Sequence, residues 1–253
     1  MKNRWSWLAL GVGAYLAFAL STLPASTAVR WFVPPPVVLT GVQGTVWSGS
    51  AANGTIGGLS VQDVHWHVRP WTLLTGRVGA NVETRLADGF LNTGLTASTS
   101  RVQFDDLRGG TSLATLALML PVRGMRGQAT VALSSLEVEN GWPARIVGEL
   151  KLAALEMTSL MPTGGSSNLV PLGDYTVTFG EAPPRSIAAR FVDNGGPLEV
   201  AGTLVVSPAR AYTFDALIKP RNSASKDLVD GLSFMTADPD SDGRRRLTLT
   251  GSL

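Results

Sequence analysis

From residue 37 to the C-terminus, apolar and polar residues alternate with a period of two, and this alternation constrains the fold more than any other feature of the sequence. The stretches 64–68, 175–179 and 212–216 each place an apolar residue at every second position. A strand with this pattern presents one apolar face and one polar face. Turn pairs such as Asn53-Gly54 and Asn140-Gly141 recur about every 10–15 residues, which indicates antiparallel hairpins. The sequence therefore predicts an antiparallel meander of about a dozen strands.

Glycines inside the predicted strands indicate that this meander is bent. Glycines lie at the start of or within predicted strands at five positions: Gly44, Gly127, Gly148, Gly202 and Gly251. A glycine within a strand usually marks a bulge or a strong bend. A meander that bends repeatedly curls into a half-barrel or groove, so we expect a mainly β domain of that shape.

One to three short helices interrupt the alternation. Thr111–Leu120 is apolar at helical spacing and is followed by Pro121, and Ser225–Met235 places Leu228 and Leu232 four residues apart. Leu155–Met161 is a weaker third candidate. We expect these helices to cover an open end of the sheet.

The first 33 residues have the pattern of a membrane signal-anchor. Lys2 and Arg4 precede Leu8–Leu23, an uncharged and mostly apolar run of nearly the length that crosses a bilayer. The positive-inside rule then places the N-terminus in the cytoplasm. We therefore predict a single-pass anchor over residues 1–33 and a periplasmic all-β domain over residues 34–253. Ser26 and Ala28 also fit a signal-peptidase site, so a cleaved signal peptide stays open as the alternative.

Composition excludes several classes of protein. There is no cysteine, which excludes a disulfide scaffold, a thiolate metal site and cysteine catalysis. Three of the 21 basic residues lie in the first 33 residues, which contain no acidic residue, so the remainder is close to neutral. The basic residues are scattered rather than arranged in a stripe with aromatic residues, and we therefore expect no nucleic-acid partner.

Two groups of polar residues resemble metal sites only in part. Asp63, His65 and His67 alternate on one predicted strand, but Arg69 follows on the same face and would repel a cation. Residues 238–243 match the first half of a calcium loop, but the position of the bidentate acid is Leu249. We expect a polar strand face and a turn, respectively, and no metal or other cofactor.

No catalytic constellation stands out either. The nucleophile-elbow, phosphate-loop and zinc-protease motifs are absent. Asp63, Asp105, Asp106 and Glu137 offer carboxylates for a hydrolase, but nothing in their spacing selects a pair. The tryptophans at 47, 66, 71 and 142 fit a core or an interface better than a sugar-binding groove. We therefore expect a protein that is not an enzyme.

Several short sequence motifs, which we call the family phrases, resemble those of a known family in their order along the chain. Gly41–Gly49 reads GVQGTVWSG, Leu59–Val78 reads LSVQDVHWHVRPWTLLTGRV, and Leu247–Leu253 reads LTLTGSL. Over essentially the whole chain, this arrangement resembles the type II secretion system protein N family (general secretion pathway protein N). The sequence departs from the pattern at Arg245-Arg246, where an aromatic residue is expected. The residues that match the family phrases are our candidate interaction residues: Trp47, Trp66, Arg69, Pro70, Leu73, Leu74 and Gly76.

The resemblance implies a non-enzymatic accessory protein of the inner membrane that supports export of folded periplasmic proteins through an outer-membrane secretin. Its partners would be other secretion components, on the inner-membrane platform, pseudopilin or secretin side, together with the inner membrane itself. The family also looks similar to AsmA-like and TamB-like proteins, whose strands form an elongated apolar groove. This likeness keeps lipid as a further partner, and an envelope lipid-binding or lipid-transfer protein as the alternative function.

Overall fold

Thirteen strands form one antiparallel sheet in the part of the chain that the computed structural model describes. The order of the strands in the sheet is their order in the sequence, so every connection joins neighbouring strands. Within the described residues the first and last strands do not pair, and the sheet is open. The described residues are 10–15, 18–19, 21–32, 37–117, 124–158, 169–183, 185–236 and 238–252.

The strands confirm a mainly β fold with about a dozen strands. They are β1 Val37–Gly44, β2 Ser48–Ile56, β3 Leu59–Arg69, β4 Val78–Leu86, β5 Gly89–Ala97, β6 Arg101–Ser112, β7 Met125–Glu139, β8 Trp142–Thr158, β9 Leu169–Gly180, β10 Ile187–Asp193, β11 Leu198–Val206, β12 Ala211–Pro220 and β13 Arg245–Ser252. The described residues also form α1 Ala25–Phe32, a 3-10 helix over Pro70–Thr75 and α2 Lys226–Met235.

The strand register places the apolar residues on one face of the sheet from β1 to β13. Residues directly opposite each other in an antiparallel pair lie on the same face. Val42 pairs with Ala51 and Ala51 with Val64 at one end of the sheet, while Leu204 pairs with Phe214 at the other. The opposite, polar face carries residues such as His65, which pairs with Glu83. We call these two surfaces the apolar face and the polar face.

Burial on the apolar face is local. It forms three separate clusters, around Val61, around Ala129 and around Ala216. The third cluster is covered by Leu228 and Leu232 of α2. Among the described residues, Val61 is the only side chain of valine size or larger that is less than 2% exposed. One layer of strands therefore carries a broad apolar face that the described residues cover only in places.

Glycines produce irregular pairing at two of the five predicted positions inside strands. Gly127 has φ +138 and lies opposite an extra residue of β8 near Ala154, and Gly148 has φ +140 opposite the shift that follows Leu133 in β7. Gly202 and Gly251 have ordinary backbone angles and instead leave room for the neighbouring side chains of Ala216 and Tyr212. The bulges confirm part of the glycine prediction.

Of the three predicted helices, one is confirmed. Ser225 caps α2, and its hydroxyl accepts a hydrogen bond from Leu228 N at 3.3 Å. The prediction of a helix over 111–120 was wrong for the described residues, because 111–112 end β6 and 113–117 form turns. The prediction over 155–161 was also wrong for 155–158, which belong to β8. Leu113 and Leu155 belong to the same cluster on the apolar face, and this cross-strand packing overrides the local helical spacing. Residues 118–120 and 159–161 lie outside the described residues.

The N-terminal segment meets the sheet at the β1–β2 connection. Pro24 forms an isolated bridge with Thr45, and Val46 N donates to Leu23 O at 3.0 Å. None of the helices in the described residues has both the length and the apolar character needed to cross a membrane. Residues 1–9, 16–17, 20 and 33 of the predicted anchor lie outside the described residues, so the anchor stays a prediction.

The backbone around Gly148 leaves no room for a side chain, which gives a testable prediction about stability. A Cβ added there would lie 2.3 Å from Ala132 O and 2.6 Å from Leu133 Cα. We expect Gly148→Ala to lower the free energy of unfolding by about 2–4 kcal/mol, since backbone strain and overpacking add. Urea unfolding of the detergent-solubilised chain, followed by circular dichroism, measures this change.

The matched control is Gly231→Ala, in the middle of α2, where an added Cβ meets nothing within 4 Å. It should raise stability by about 0.5–1 kcal/mol, because alanine is the better helix former. Equal changes in stability for the two substitutions would contradict the close approach of the β7 backbone at Gly148.

Candidate functional site

Six hairpin connections lie together at one end of the strands, because a meander alternates its turns between two ends. They join β1–β2, β3–β4, β5–β6, β7–β8, β9–β10 and β11–β12. We call this end the N-terminal rim, since Leu23 and Pro24 contact the sheet there. The other end is the opposite rim. All seven candidate interaction residues lie at or beside the N-terminal rim, on β3 and on the first two of these connections.

The two family phrases around Trp47 and Trp66 are in contact. Trp66 Nε1 donates to Thr45 O at 3.3 Å, and Val68 N donates to Trp47 O at 2.7 Å. Gly49 lies under the ring of Trp66, where a Cβ would be 2.4 Å from a ring carbon. These contacts hold the β1–β2 connection against the end of β3. Both tryptophans are half-buried, and the role that the geometry gives them is to shape the rim.

Arg69, Pro70 and Gly76 define the start and end of the 3-10 helix. Arg69 is the extended residue before the helix, and Pro70 occupies its first position, where no amide is needed. Gly76 ends the helix with φ +70, a conformation that glycine adopts without strain, and its amide donates to Leu73 O at 3.0 Å. The segment 70–76, which joins β3 to β4, thus forms a rigid turn.

Thr72 fixes this turn, and sequence reasoning missed it. Its hydroxyl donates to Arg69 O at 2.7 Å and accepts from Gly79 N at 2.8 Å. Gly79 is buried, and a Cβ there would lie 2.8 Å from the Thr72 methyl. A threonine shortly after a strand end is a known turn former, but that local signal does not reveal its hydrogen bond with Gly79.

The turn exposes three apolar side chains, which we call the apolar tip: Trp71, Leu73 and Leu74. Trp71 is 78% exposed, Leu74 82% and Leu73 43%. None of the residues of the 3-10 helix is buried. Apolar residues in an ordered turn that point into solvent indicate a contact surface rather than part of a core.

Arg69 lies across the polar face. One of its terminal nitrogens is 3.6 Å from the position that a Cβ would take on Gly94 of β5. Its register partner on β4 is Gly79, so the strand between Arg69 and Gly94 offers no side chain at that point. Arg69 therefore packs along the sheet beside the tip.

The polar residues that resembled metal sites have other contacts. Asp63 sits at a bulge with φ +47, and its carboxylate lies 3.3 Å from Arg85 Nη1. His65 and His67 lie on the polar face, and the described residues contain no group of three metal-ligating side chains. In the segment 238–243, the Asp240 carboxylate accepts from the amides of Asp242 and Arg244, which confirms the predicted turn into β13.

Carboxylates near the N-terminal rim form ion pairs with arginines. Glu139 accepts from Arg101 and from Arg185, the latter at 3.1 Å, and Arg145 lies 3.4 Å from Glu181. The hydrogen bond from Arg185, with further support from Arg101, lowers the pKa of Glu139. A glycosidase-type acid requires a raised pKa, so this charged cavity of about 550 Å³ does not resemble an acid–base site.

An ion pair with a buried carboxylate lies at the opposite rim. The carboxylate of Asp193, 7% exposed, contacts Arg221 at 2.7 Å and accepts from Val200 N at 2.9 Å. Burial raises the pKa of Asp193, but the hydrogen bonds from Val200 N, Arg221 and Gly195 N outweigh it and keep the pKa below its ordinary value. Burial and the nearby Asp193 charge raise the pKa of Tyr175 to about 12. This cluster joins β9, β10 and β12 and has a structural role.

Within the part of the chain that the structure describes, strand β13 ends the sheet and its outer edge pairs with no other strand. Ser207 N donates to Ala211 O at 2.8 Å, and Arg221 N donates to Pro197 O at 2.8 Å, which fixes the alternation of hydrogen-bonded pairs between β11 and β12. Alternate residues of β12 therefore bond to β11, and the residues between them bond to β13. The residues of β13 that lie opposite the second set, and so bond to β12, include Leu247, Leu249 and Gly251. The backbone amides of Arg246, Thr248, Thr250 and Ser252 therefore point away from the sheet.

The polar face beside β13 combines an ion pair with exposed apolar residues. Arg246 Nε donates to Asp215 Oδ1 at 3.0 Å, and this contact lowers the pKa of Asp215. Val192 and Leu217 lie nearby and are 42% and 41% exposed. A strand added to β13 would pair with its backbone and lie close to these side chains.

Comparisons with known proteins show which sequences this chain is similar to. The family described as "Type II secretion system (T2SS), protein N" matches residues 35–248. The type II secretion system protein N of Aeromonas hydrophila is 28% identical and covers 100% of both chains. The protein of the same name from Vibrio cholerae serotype O1 is 25% identical over 97% of this chain and 99% of its own. No solved structure gives a significant match.

Thr72 offers a test of the rigid turn. We expect Thr72→Val, which keeps the shape but removes the hydroxyl, to destabilise the turn by about 1–2 kcal/mol because the Gly79 amide loses its acceptor. Hydrogen exchange of the Gly79 amide should accelerate by about 5–30-fold. Thr72→Ser is the control and should retain the protection. Unchanged exchange in Thr72→Val would show that another group holds the turn.

Proposed function

Because the chain belongs to the protein N family of type II secretion systems, we propose that it is an inner-membrane-anchored accessory component of that machine. In this role it supports export of folded periplasmic proteins across the outer membrane through protein–protein contacts. The observation that carries the mode of action is the open sheet, which offers the free edge of β13 for pairing.

The anchor is proposed from the sequence and from the position of the N-terminal segment. Lys2 and Arg4 precede the apolar run Leu8–Leu23, an arrangement that favours a cytoplasmic N-terminus and a periplasmic sheet. The end of that run is bound to the β1–β2 connection through Leu23 O. The proposed domains are residues 1–33 as the anchor and residues 34–253 as the periplasmic domain.

Partner binding is proposed at β13. An extended segment of a secretion component, from the inner-membrane platform, pseudopilin or secretin side, would add a strand to this edge. Main-chain hydrogen bonds to the outward amides would supply affinity, and exposed Val192 and Leu217 would supply apolar contacts. At the other end of the sheet, α1 and the Pro24–Thr45 bridge contact β1, which favours β13 as the accessible edge.

The seven family residues divide into two proposed roles. Five of them build the N-terminal rim: Trp47, Trp66, Arg69, Pro70 and Gly76. Leu73 and Leu74 are presented by that rim and form part of its contact surface. None of the seven is proposed to act on a substrate, and the protein is proposed to work without a cofactor and without catalysis.

The broad apolar face favours a second function, an envelope lipid-binding or lipid-transfer protein. Apolar residues continue across all the strands, and Val78 and Leu249 on this face remain 45% and 46% exposed. Acyl chains would cover that surface. Mass spectrometry of purified protein tests this function: bound lipid supports it, and lipid-free protein counts against it.

A proline at Thr250 tests the proposed use of β13. Thr250→Pro removes an outward amide and leaves the bonds to β12, which come from Leu249 and Gly251. In a strain that lacks the native protein, we expect the variant to accumulate normally and to reduce the amount of secreted enzyme in the culture medium, with retention in the periplasm.

Thr250→Ala is the matched control, since it shortens the same side chain but keeps the amide, and it should restore export fully. Normal export with Thr250→Pro would contradict strand addition at β13. If that variant failed to accumulate, Thr248→Pro, which removes the neighbouring outward amide, would carry the same test.

A further inference from the structure

We propose that the apolar tip inserts into the surface of the bilayer and holds the N-terminal rim against anionic phospholipid. This inference rests on the proposed membrane anchoring, and it names anionic phospholipid as the partner of the N-terminal rim. It assigns Trp71 and Leu74 to lipid contact, and Arg77 to the lipid headgroups.

The chemistry of the tip suits a membrane interface. Trp71 and Leu74, 78% and 82% exposed, are the two most exposed large apolar side chains of the described sheet and its connections. Tryptophan is enriched where membrane and water meet, because its ring is apolar while its N–H prefers a wet environment. A leucine beside it extends the contact toward the acyl chains.

The tip is held in a defined shape, so its exposure is a property of the fold. Thr72 bonds the start of the 3-10 helix and the amide of Gly79, and Gly76 ends the helix. An ordered turn loses little conformational freedom on binding, which favours insertion.

The location of the tip points to the membrane. The N-terminal segment reaches the sheet at the β1–β2 connection, through Leu23 O and Pro24. The β1–β2 connection is bonded to the end of β3 through Trp47 O and Val68 N, and the 3-10 helix follows β3 directly. The end of the predicted anchor and the tip therefore share one rim, where they lie at neighbouring connections.

Charge and hydroxyl groups beside the tip suit phospholipid headgroups. Residues 64–82 contain no acidic residue. Arg77 is exposed and forms no salt bridge within the described residues. An open cavity of about 500 Å³ lies next to the tip, and its lining includes Arg77, Thr96, Ser98 and Ser100. Guanidinium and hydroxyl donors of this kind bind phosphate oxygens.

Single-cysteine labelling of the full chain tests the proposal, because the chain has no cysteine of its own. Leu74→Cys carries an environment-sensitive fluorophore at the tip. Ala87→Cys carries it at the opposite rim, on an exposed turn residue between β4 and β5. Each protein is reconstituted in vesicles of phosphatidylcholine and phosphatidylglycerol, with and without brominated acyl chains.

We expect blue-shifted emission and strong quenching by brominated lipid at position 74, and neither effect at position 87. Adding Arg77→Gln to the Leu74→Cys protein should reduce tip insertion about fivefold in these anionic vesicles and leave it unchanged in pure phosphatidylcholine. Trp71→Ser in the same background should also reduce quenching, and circular dichroism checks its fold.

Equal quenching at positions 74 and 87 would overturn the proposal. So would a label at 74 that stays in water in vesicles while the same position crosslinks to a protein in cells, since this result assigns the tip to a protein partner. The vesicles contain only this chain and lipid, so either result leaves the secretion role untouched. A failure of the secretion role would appear in the export assay with Thr250→Pro and would not change the quenching.

Discussion

The cross-strand register is the constraint on which the rest of the structure depends. Each strand alternates apolar and polar side chains, and a shift by one residue would turn its apolar side chains to the polar face. Bulges at Asp63 on β3, at Ser134 on β7 opposite Gly148, and at Ala154 on β8 opposite Gly127 absorb extra residues and return the following residues to the correct face. Thirteen strands stay in phase in this way, and a single layer gains a continuous apolar face.

This architecture separates three surfaces with different chemistry. The apolar face carries the packing, the free edge of β13 carries unpaired backbone groups, and the N-terminal rim carries the exposed side chains of Trp71 and Leu74. The first is the surface on which a lipid-binding function would depend. The second suits a protein strand, and the third suits a bilayer. In this account, the rim faces the inner membrane and β13 remains available to other secretion components.

Sequence alone could predict the alternation, the turns, α2 and the family, because each depends on local pattern or on the order of short phrases. It could not predict that residues 111–112 and 155–158 are strands, since a short apolar run fits a helix and a buried strand equally well. Pairing partners decided those segments: Thr111 lies opposite Ala129, and Leu155 opposite Gly173. The register that brings Trp66 to Thr45 was likewise beyond the local pattern.

The same limit applies to the candidate site. The family phrases identified Arg69, Pro70, Leu73, Leu74 and Gly76, but the sequence did not separate residues that build the turn from residues that the turn exposes. Thr72 was missed because its role depends on the amide of Gly79, seven residues away. The outward amides of β13 also required the register, since every residue of a strand has an amide and only pairing shows which ones are used.

We propose that this protein supports secretion from an anchored position at the inner membrane. The most direct test is export of a secreted enzyme in a strain that lacks the protein, complemented either by the full chain or by residues 34–253 behind a cleavable signal. We expect the enzyme to accumulate in the periplasm without the protein, and only the anchored form to restore its release. Normal export in the deletion strain, or full restoration by the unanchored form, would contradict this proposal.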